Sequence, residues 1–193
     1  MKEQQNAFVK TERRDAAENR QRILKVALEL FEQHGVEQVS MNQIAKETGI
    51  GPATLYRRYS NKGELCLDLI KNSIDIFFVE IGAFLEEQQH APADQRLKEI
   101  LKIFIQFKEN KAHLLKGVED SMSQNKSLLA SPLYDELHRL FISLYKEMHS
   151  GNIVFKADML LRAFTTDAYL FQREVRGLSP EEILEQLCAT FLG

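Results

Sequence analysis

The chain has little of what most catalytic or membrane sequences carry. It holds two cysteines among 193 residues, Cys66 and Cys188. They lie too far apart to resemble a metal-ligand spacing. Both are expected to be reduced thiols on apolar helix faces, because reactivity needs an electropositive, exposed setting. There is no glycine-rich phosphate loop, no nucleophile motif and no metal-ligand cluster. His34, His90, His113, His138 and His149 make no catalytic pairing with spaced carboxylates. No enzyme is expected, and no cofactor or metal. The first residues contain no apolar leader, and no apolar run approaches membrane-spanning length. The reading therefore places the protein in the cytoplasm with no membrane partner. Nothing alternates with a period of two over a useful length, so no strand is expected, and no internal repeat is visible.

Charge is also sparse as a signal. The net charge is -3 and the isoelectric point is near 6.0, which gives no global attraction to nucleic acid. Its distribution says slightly more. Residues 1–65 hold 11 Lys/Arg against 9 Asp/Glu, whereas residues 66–193 hold 14 against 19. A mildly basic first third with an acidic remainder is compatible with a local nucleic-acid face. Hydrophobic content of 44% and charged content of 27% are ordinary for a globular chain.

What is present centres on residues 40–62, SMNQIAKETGIGPATLYRRYSNK, which read as two short helices and a tight turn. Ser40 is an N-cap, and Gln43 stands where a capping-box partner belongs. Gly49 falls where the first helix should stop, since glycine tolerates the left-handed C′ conformation. Gly51-Pro52 restarts the chain, with proline at a first-turn position that needs no amide. In the second helix, Pro52 to Tyr59, Leu55 and Tyr59 turn inward at i, i+4 spacing. Ala53, Thr54, Tyr56, Arg57 and Arg58 form the outward stripe. Such a stripe suits major-groove reading: small residues let the backbone approach, and threonine can bond a base edge or touch a thymine methyl. Tyr56, Arg57 and Lys62 could reach flanking phosphates. The expected DNA-binding set is thus Ser40, Gly51, Pro52, Ala53, Thr54, Tyr56, Arg57, Arg58 and Lys62. By turn chemistry alone, a plain packing unit with a solvated arginine face fits equally well.

A longer stretch resembles a known family. Ile23, Ala27, Leu30, Phe31, Gly35, Val39, Ser40, Ile44, Ala45, Gly49, Thr54, Leu55, Tyr56, Tyr59, Lys62 and Leu65 match the DNA-binding domain of the tetracycline-repressor (TetR) family. FEQHGVEQVSMNQIA and TLYRRYSNKGEL are specific in combination, and the resemblance covers about the first third of the chain. Family members usually carry phenylalanine where Tyr59 stands. Met41 takes a position often held by a hydroxyl residue that contacts phosphate.

The chain in order predicts an all-α protein: a flexible arm over 1–15, a helix-turn-helix DNA-binding domain over 16–62, and a helical ligand-binding and dimerisation domain over 63–193. The arm carries Lys2, Lys10, Arg13 and Arg14. It either touches phosphate or minor groove or is a plain disordered terminus. A first helix from about Ala16 to His34 shows the stripe Ile23, Ala27, Leu30, Phe31 and stops at Gly35. Asn61 caps a rod of roughly 27 residues that breaks at His90-Ala91-Pro92, with Glu64 as box partner. Two helices follow, Pro92 to Lys108 and Asn110 to about Met122, then a loop over 123–131. Ser131-Pro132 opens a helix that stops near Ser150-Gly151. Another runs from about Phe155 to Arg176. The last opens at Ser179-Pro180-Glu181-Glu182, where cap, proline and box partner coincide.

The resemblance implies that the C-terminal helices enclose a mainly apolar pocket for a small effector. Candidate lining residues are Phe77, Phe104, Phe107, His113, Phe141, Tyr145 and Phe164, with His113 or Glu119-Asp120 as possible orienting groups. Ordinary core packing of these rings, with a surface histidine and solvated acids, is the plainer alternative. It also implies a homodimer through the last two helices and a near-palindromic double-stranded DNA operator. Paired recognition helices address half-sites about 34–36 Å apart. Together these features point to a transcriptional repressor released by its effector. Two other readings stand beside it: a regulator answering to a protein partner, and a helical carrier of lipid or small molecules.

Overall fold

The computed structural model describes the backbone of residues 2–121 and 132–192, and side chains over 16–121 and 133–192. Among these residues every regular element is a helix. The chain forms two compact units, residues 1–69 and 70–193, so the division falls inside the fourth helix.

The first unit begins with α1, Lys2–His34. The helix therefore includes most of the stretch expected as an arm. Residues 2–15 contain neither glycine nor proline and are rich in Lys, Glu, Gln and Arg. Such residues lose little rotamer freedom in a helix, so nothing local stops it at Ala16. Ile23, Ala27 and Phe31 are buried, as their spacing requires. Val36 and Val39 from the following turn are buried too.

α2, Met41–Thr48, starts at the Ser40 cap, whose hydroxyl accepts from the Gln43 amide at 3.1 Å. It ends at Gly49, in the left-handed region at φ 73°, where the Gly49 amide donates to the Lys46 carbonyl and the Ile50 amide to the Ala45 carbonyl. A side chain at Gly49 would impose the strain that L residues carry in this conformation. α3, Pro52–Arg58, follows with Gly51 as its cap. The start of α4, Lys62–Glu87, closes the unit: Leu65 and Cys66 are buried against the rest. The Asn61 carboxamide accepts from the Glu64 amide, and the Glu64 carboxylate reaches back to the Ser60 amide. The reciprocal cap thus forms one residue earlier than a strict box.

In the second unit, α5 runs unbroken over Ala93–Ser121, where two helices were expected. Asn110 does not interrupt it, because its side-chain amide donates back to the Gln106 carbonyl. The buried stripe simply continues through Ala112, Leu115 and Val118. The loop expected over 123–131, Met122 and the Ser131 cap lie outside the described residues. α6 spans Pro132–Glu147 and α7 Ile153–Ala163.

The helix expected over 155–176 is divided. α7 stops at Phe164-Thr165, α8 takes Thr166–Leu170, and a π-turn carries Phe171–Val175 to the stop at Gly177. The division follows from a threonine pair. The Thr165 hydroxyl donates to the Arg162 carbonyl, and Thr166 turns into the interior toward Glu119 and Lys108. Such side-chain bonds offer the backbone an alternative to continued helix. α9, Pro180–Phe191, opens with the complete capping box foreseen for it: the Glu182 amide donates to the Ser179 hydroxyl at 3.1 Å, and the Ser179 amide to the Glu182 carboxylate at 2.7 Å.

Candidate nucleic-acid interface and effector site

α3 is short, so what holds it decides what its outer face can do. Seven residues are too few for a helix to persist alone. Leu55, fully buried, and Tyr59 pin its inner side. The Tyr59 hydroxyl donates to Asp68 Oδ2 at 2.6 Å. Arg20 of α1 closes on the same carboxylate as a fork, with Nε donating to Oδ2 at 2.8 Å and Nη2 to Oδ1. The fork holds the Asp68 carboxyl below the usual carboxylate range, with the Tyr59 bond adding to it. Burial, and then the bond to Asp68, pushes the Tyr59 phenol up to about 12. Three elements, α1, the end of α3 and α4, thus meet on one charge-assisted node.

That arrangement leaves Ala53, Tyr56, Arg57 and Arg58 exposed and Thr54 half-buried. Among the described residues Arg57 makes no ion pair or hydrogen bond, whereas Arg58 sits against the brace, bonding the Tyr59 phenol oxygen and acting on Asp68. Gly51, Pro52 and Ser40 are exposed at the near ends of α3 and α2. Ser40 is already engaged as a cap, and Met41 is buried in the core.

Lys62 stands differently from its expected place at phosphate. Its ammonium donates to the carbonyls of Val36, Glu37 and Val39, the latter two at 3.2 and 3.0 Å. Three donors and three acceptors match, so the side chain closes the α1–α2 turn and leaves no proton for DNA.

The residues that sequence reasoning missed are Arg20 and Asp68. A hydroxyl on Tyr59, where phenylalanine is usual, was the available clue, since a buried phenol needs an acceptor.

In the second unit the expected pocket residues divide into groups. Phe77, Phe104, Phe107 and Phe164 form a continuous cluster. Phe107 and Phe77 centroids are 4.8 Å apart, Phe77 and Phe104 5.5 Å, and Phe104 stacks on Phe164 at 4.6 Å. Phe141 and Tyr145 are fully buried, and the Tyr145 hydroxyl makes no hydrogen bond. His113 is exposed on α5; its helical phase points it away from the stripe of Phe104, Lys108, Ala112 and Leu115, so it is no part of the interior. Asp120 is exposed and pairs with Lys116 at 3.3 Å. Glu119 turns inward, accepting from the Thr166 amide and hydroxyl.

Lys108 is an interior residue that the sequence reading passed over. It is 1% exposed, and its ammonium donates to the Thr166 hydroxyl at 2.9 Å and lies 5.5 Å from the Phe104 centroid. Its place four residues after Phe104 and seven after Leu101 put it on the buried stripe, and that phase was the clue.

Two helices joined by a left-handed glycine, the second presenting an exposed basic face, define a helix-turn-helix DNA-binding protein. Residues 23–69 match the family described as bacterial regulatory proteins, tetR family. The chain is 36% identical over 180 residues to an HTH-type transcriptional regulator of Staphylococcus aureus (strain USA300), covering 93% of this chain and 96% of that one. The counterpart from strain MRSA252 is 37% identical over the same span. In fold it is similar to Thermus thermophilus FadR, a TetR family transcriptional repressor in complex with lauroyl-CoA (TM-score 0.66, 18% identity, 90% of this chain and 93% of that chain). It is also similar to the ketosteroid transcriptional regulator KstR2 of Mycobacterium tuberculosis (TM-score 0.59, 17% identity, 90% and 93%). The chain belongs to the TetR family and is a DNA-binding transcriptional regulator, not an enzyme. No helix among the described residues is long and apolar enough to cross a membrane.

Proposed function

We propose that this regulator binds a near-palindromic operator as a homodimer, and that a small, largely apolar effector releases it. The observation that carries the DNA-binding half is the exposed face of α3, with Arg57 free of any partner among the described residues, on a helix braced by the Tyr59–Asp68–Arg20 node. Thr54 and Ala53 approach base edges at the N-terminal end, while Tyr56, Arg57 and Arg58 take flanking phosphates. Gly51 and Pro52 bring the backbone close, and Ser40 adds a contact at the end of α2. The aromatic cluster of Phe77, Phe104, Phe107 and Phe164 supports an apolar effector site in the second unit, and the lauroyl chain of the lauroyl-CoA carried by the Thermus protein is an apolar body, although its coenzyme A part is highly charged.

In the mechanism, effector binding favours a dimer whose recognition helices are wrongly spaced for adjacent major grooves. Linkage then requires that DNA weaken effector binding by the same factor. Repression is the sense of regulation we assign, and the cytoplasm the compartment.

Operator fragments selected from genomic DNA supply the test. Arg57→Ala is expected to weaken binding to the selected operator and to reduce the slope of log affinity against log salt by roughly 1, the loss of one phosphate contact. Unchanged affinity together with an unchanged slope would remove Arg57 from the interface.

A further inference from the structure

The Phe104–Phe164 stack has a cation at its edge. Lys108 is 1% exposed, and its ammonium has three donors. The Thr166 hydroxyl takes one, and the Phe104 ring faces the charge at 5.5 Å. Among the described residues no carboxylate lies within ion-pair distance of Lys108; Glu119 and Asp167 act on it only at longer range. Glu119 is instead bonded to the amide and hydroxyl of Thr166, and Asp167 pairs with Lys116 at 2.9 Å. The nearest acids are therefore committed elsewhere. A charge held in the interior with incomplete hydrogen bonding is costly, and burial without a partner is the arrangement folding avoids.

An open groove lies on the other side of the same ring cluster. Between α4 and α5 lies a groove of about 430 Å³ whose wall joins Ile76, Phe77, Ile103 and Phe107 to a polar rim that includes Glu80 and Lys111. Phe107 and Phe77 stand 4.8 Å apart, Phe77 and Phe104 5.5 Å, and Phe104 faces the Lys108 ammonium. A run of contacting rings, with no polar group in it, thus separates the open groove from the buried charge.

We propose that Lys108 is the anchor for the acid group of the effector, which is a monocarboxylate on an apolar alkyl or aryl body. The proposal rests on the small-effector reading given above and assigns its chemical class. A carboxylate offers two acceptor oxygens to the two remaining Lys108 donors and cancels a single charge. A phosphate dianion would leave net charge in the interior beside Glu119. The apolar body takes the place that the phenylalanine run marks out, by rotation of rings that contact one another and no polar group.

The test uses the full-length protein with two matched probe pairs: decanoate against decanol, and 4-phenylbutyrate against 4-phenylbutanol. Affinities come from titration calorimetry, with thermal shift as a second readout. Wild type is expected to prefer each acid over its alcohol by about tenfold, the scale of a charge-assisted bond. Lys108→Met should bring that ratio to about one while keeping alcohol binding, and methionine in place of a buried ammonium should not impair folding. Lys111→Met, at the groove mouth, should leave the ratio unchanged. The wild-type preference should also fade as pH rises past about 8, where Lys108 loses its proton.

Equal binding of acids and alcohols by wild type overturns the anchor and leaves an apolar effector standing. Loss of the preference in Lys111→Met with retention in Lys108→Met assigns the acid to the surface lysine and likewise overturns it. Binding of none of the four probes, with no displacement of operator DNA by any of them, overturns both the anchor and the small-effector reading.

Discussion

Asp68 bears more of the DNA-binding unit than its single position suggests, because α1, α3 and α4 meet at its carboxylate. Its folded value is depressed below the free value of 3.8, chiefly by the Arg20 bond. The stability it contributes is present above the unfolded value and is lost as pH falls through the lower, folded one. Asp68→Asn should therefore flatten the acid limb of the unit's stability curve, measured by urea denaturation at stepped pH. Tyr59→Phe removes only the hydroxyl and leaves the Arg20 fork intact, so its cost should be about 1 kcal/mol. Lys108 carries the opposite sign to an ordinary lysine partner. Burial pushes its ammonium down from 10.5 to about 8, against a smaller pull from Glu119 and Asp167. Between those values the unfolded chain holds a proton that the folded chain has released, so unfolding free energy should climb with pH across that window. Denaturant titrations of wild type and Lys108→Met should show the climb in the first and its loss in the second. Neither residue was legible as special in the sequence. Asp68 looks like a solvated acid until α1 is placed beside it, and Lys108 looks like surface until its helical phase is counted.

At the scale of the helix, legibility followed local chemistry. Ser40, Gly49, Pro52 and Ser179-Pro180 act through neighbours two to four residues away, and each start or stop they foretold is present. The two misses have different causes, one local and one distant in the chain. Asn110 resembles a breaker but is absorbed into α5 by its own bond to Gln106. Thr165-Thr166 resembles ordinary helix, yet divides α7 from α8 because Glu119 and Lys108, some 50 residues earlier in the chain, bond to Thr166. Two predictions separate these regimes. Ser179→Ala removes one side of a purely local box and should cost about 1 kcal/mol in chemical denaturation, with little change elsewhere in the unit. Thr166→Val keeps the shape but strips the hydroxyl from Lys108 and Glu119, so its effect should be non-additive with Lys108→Met in a double-mutant cycle. Additive costs would mean that the two residues do not act as one network.

For the molecule as a whole, the sequence resemblance supplied the two-part plan, and exposed apolar residues near the C-terminus support the proposed homodimer contact. The stretch over α7, α8 and the π-turn carries large apolar residues both inside and out. Its inner side is Ala157, Leu160, Leu161, Phe164 and Tyr169, all buried, while Val154, Phe155, Phe171 and Val175 are exposed. Val175 and Phe171 stand on the π-turn, close in sequence to α9, and α8 and α9 between them line a groove of about 460 Å³. Four exposed large apolar residues on one stretch are more than a monomer surface needs, and a second copy of the chain is the occupant that the proposed near-palindromic operator calls for. Charge placed on this surface should thus act at a distance on DNA binding. Phe171→Glu with Val175→Glu is expected to convert the dimer to monomer in analytical ultracentrifugation while leaving the helical circular dichroism unchanged. Binding to a two-half-site operator should fall steeply, because two linked contacts become two separate ones. Binding to an isolated half-site should change little, since α3 and its brace lie in the other unit. A double mutant that stays dimeric and holds the full operator normally would move the dimer contact off the last two helices.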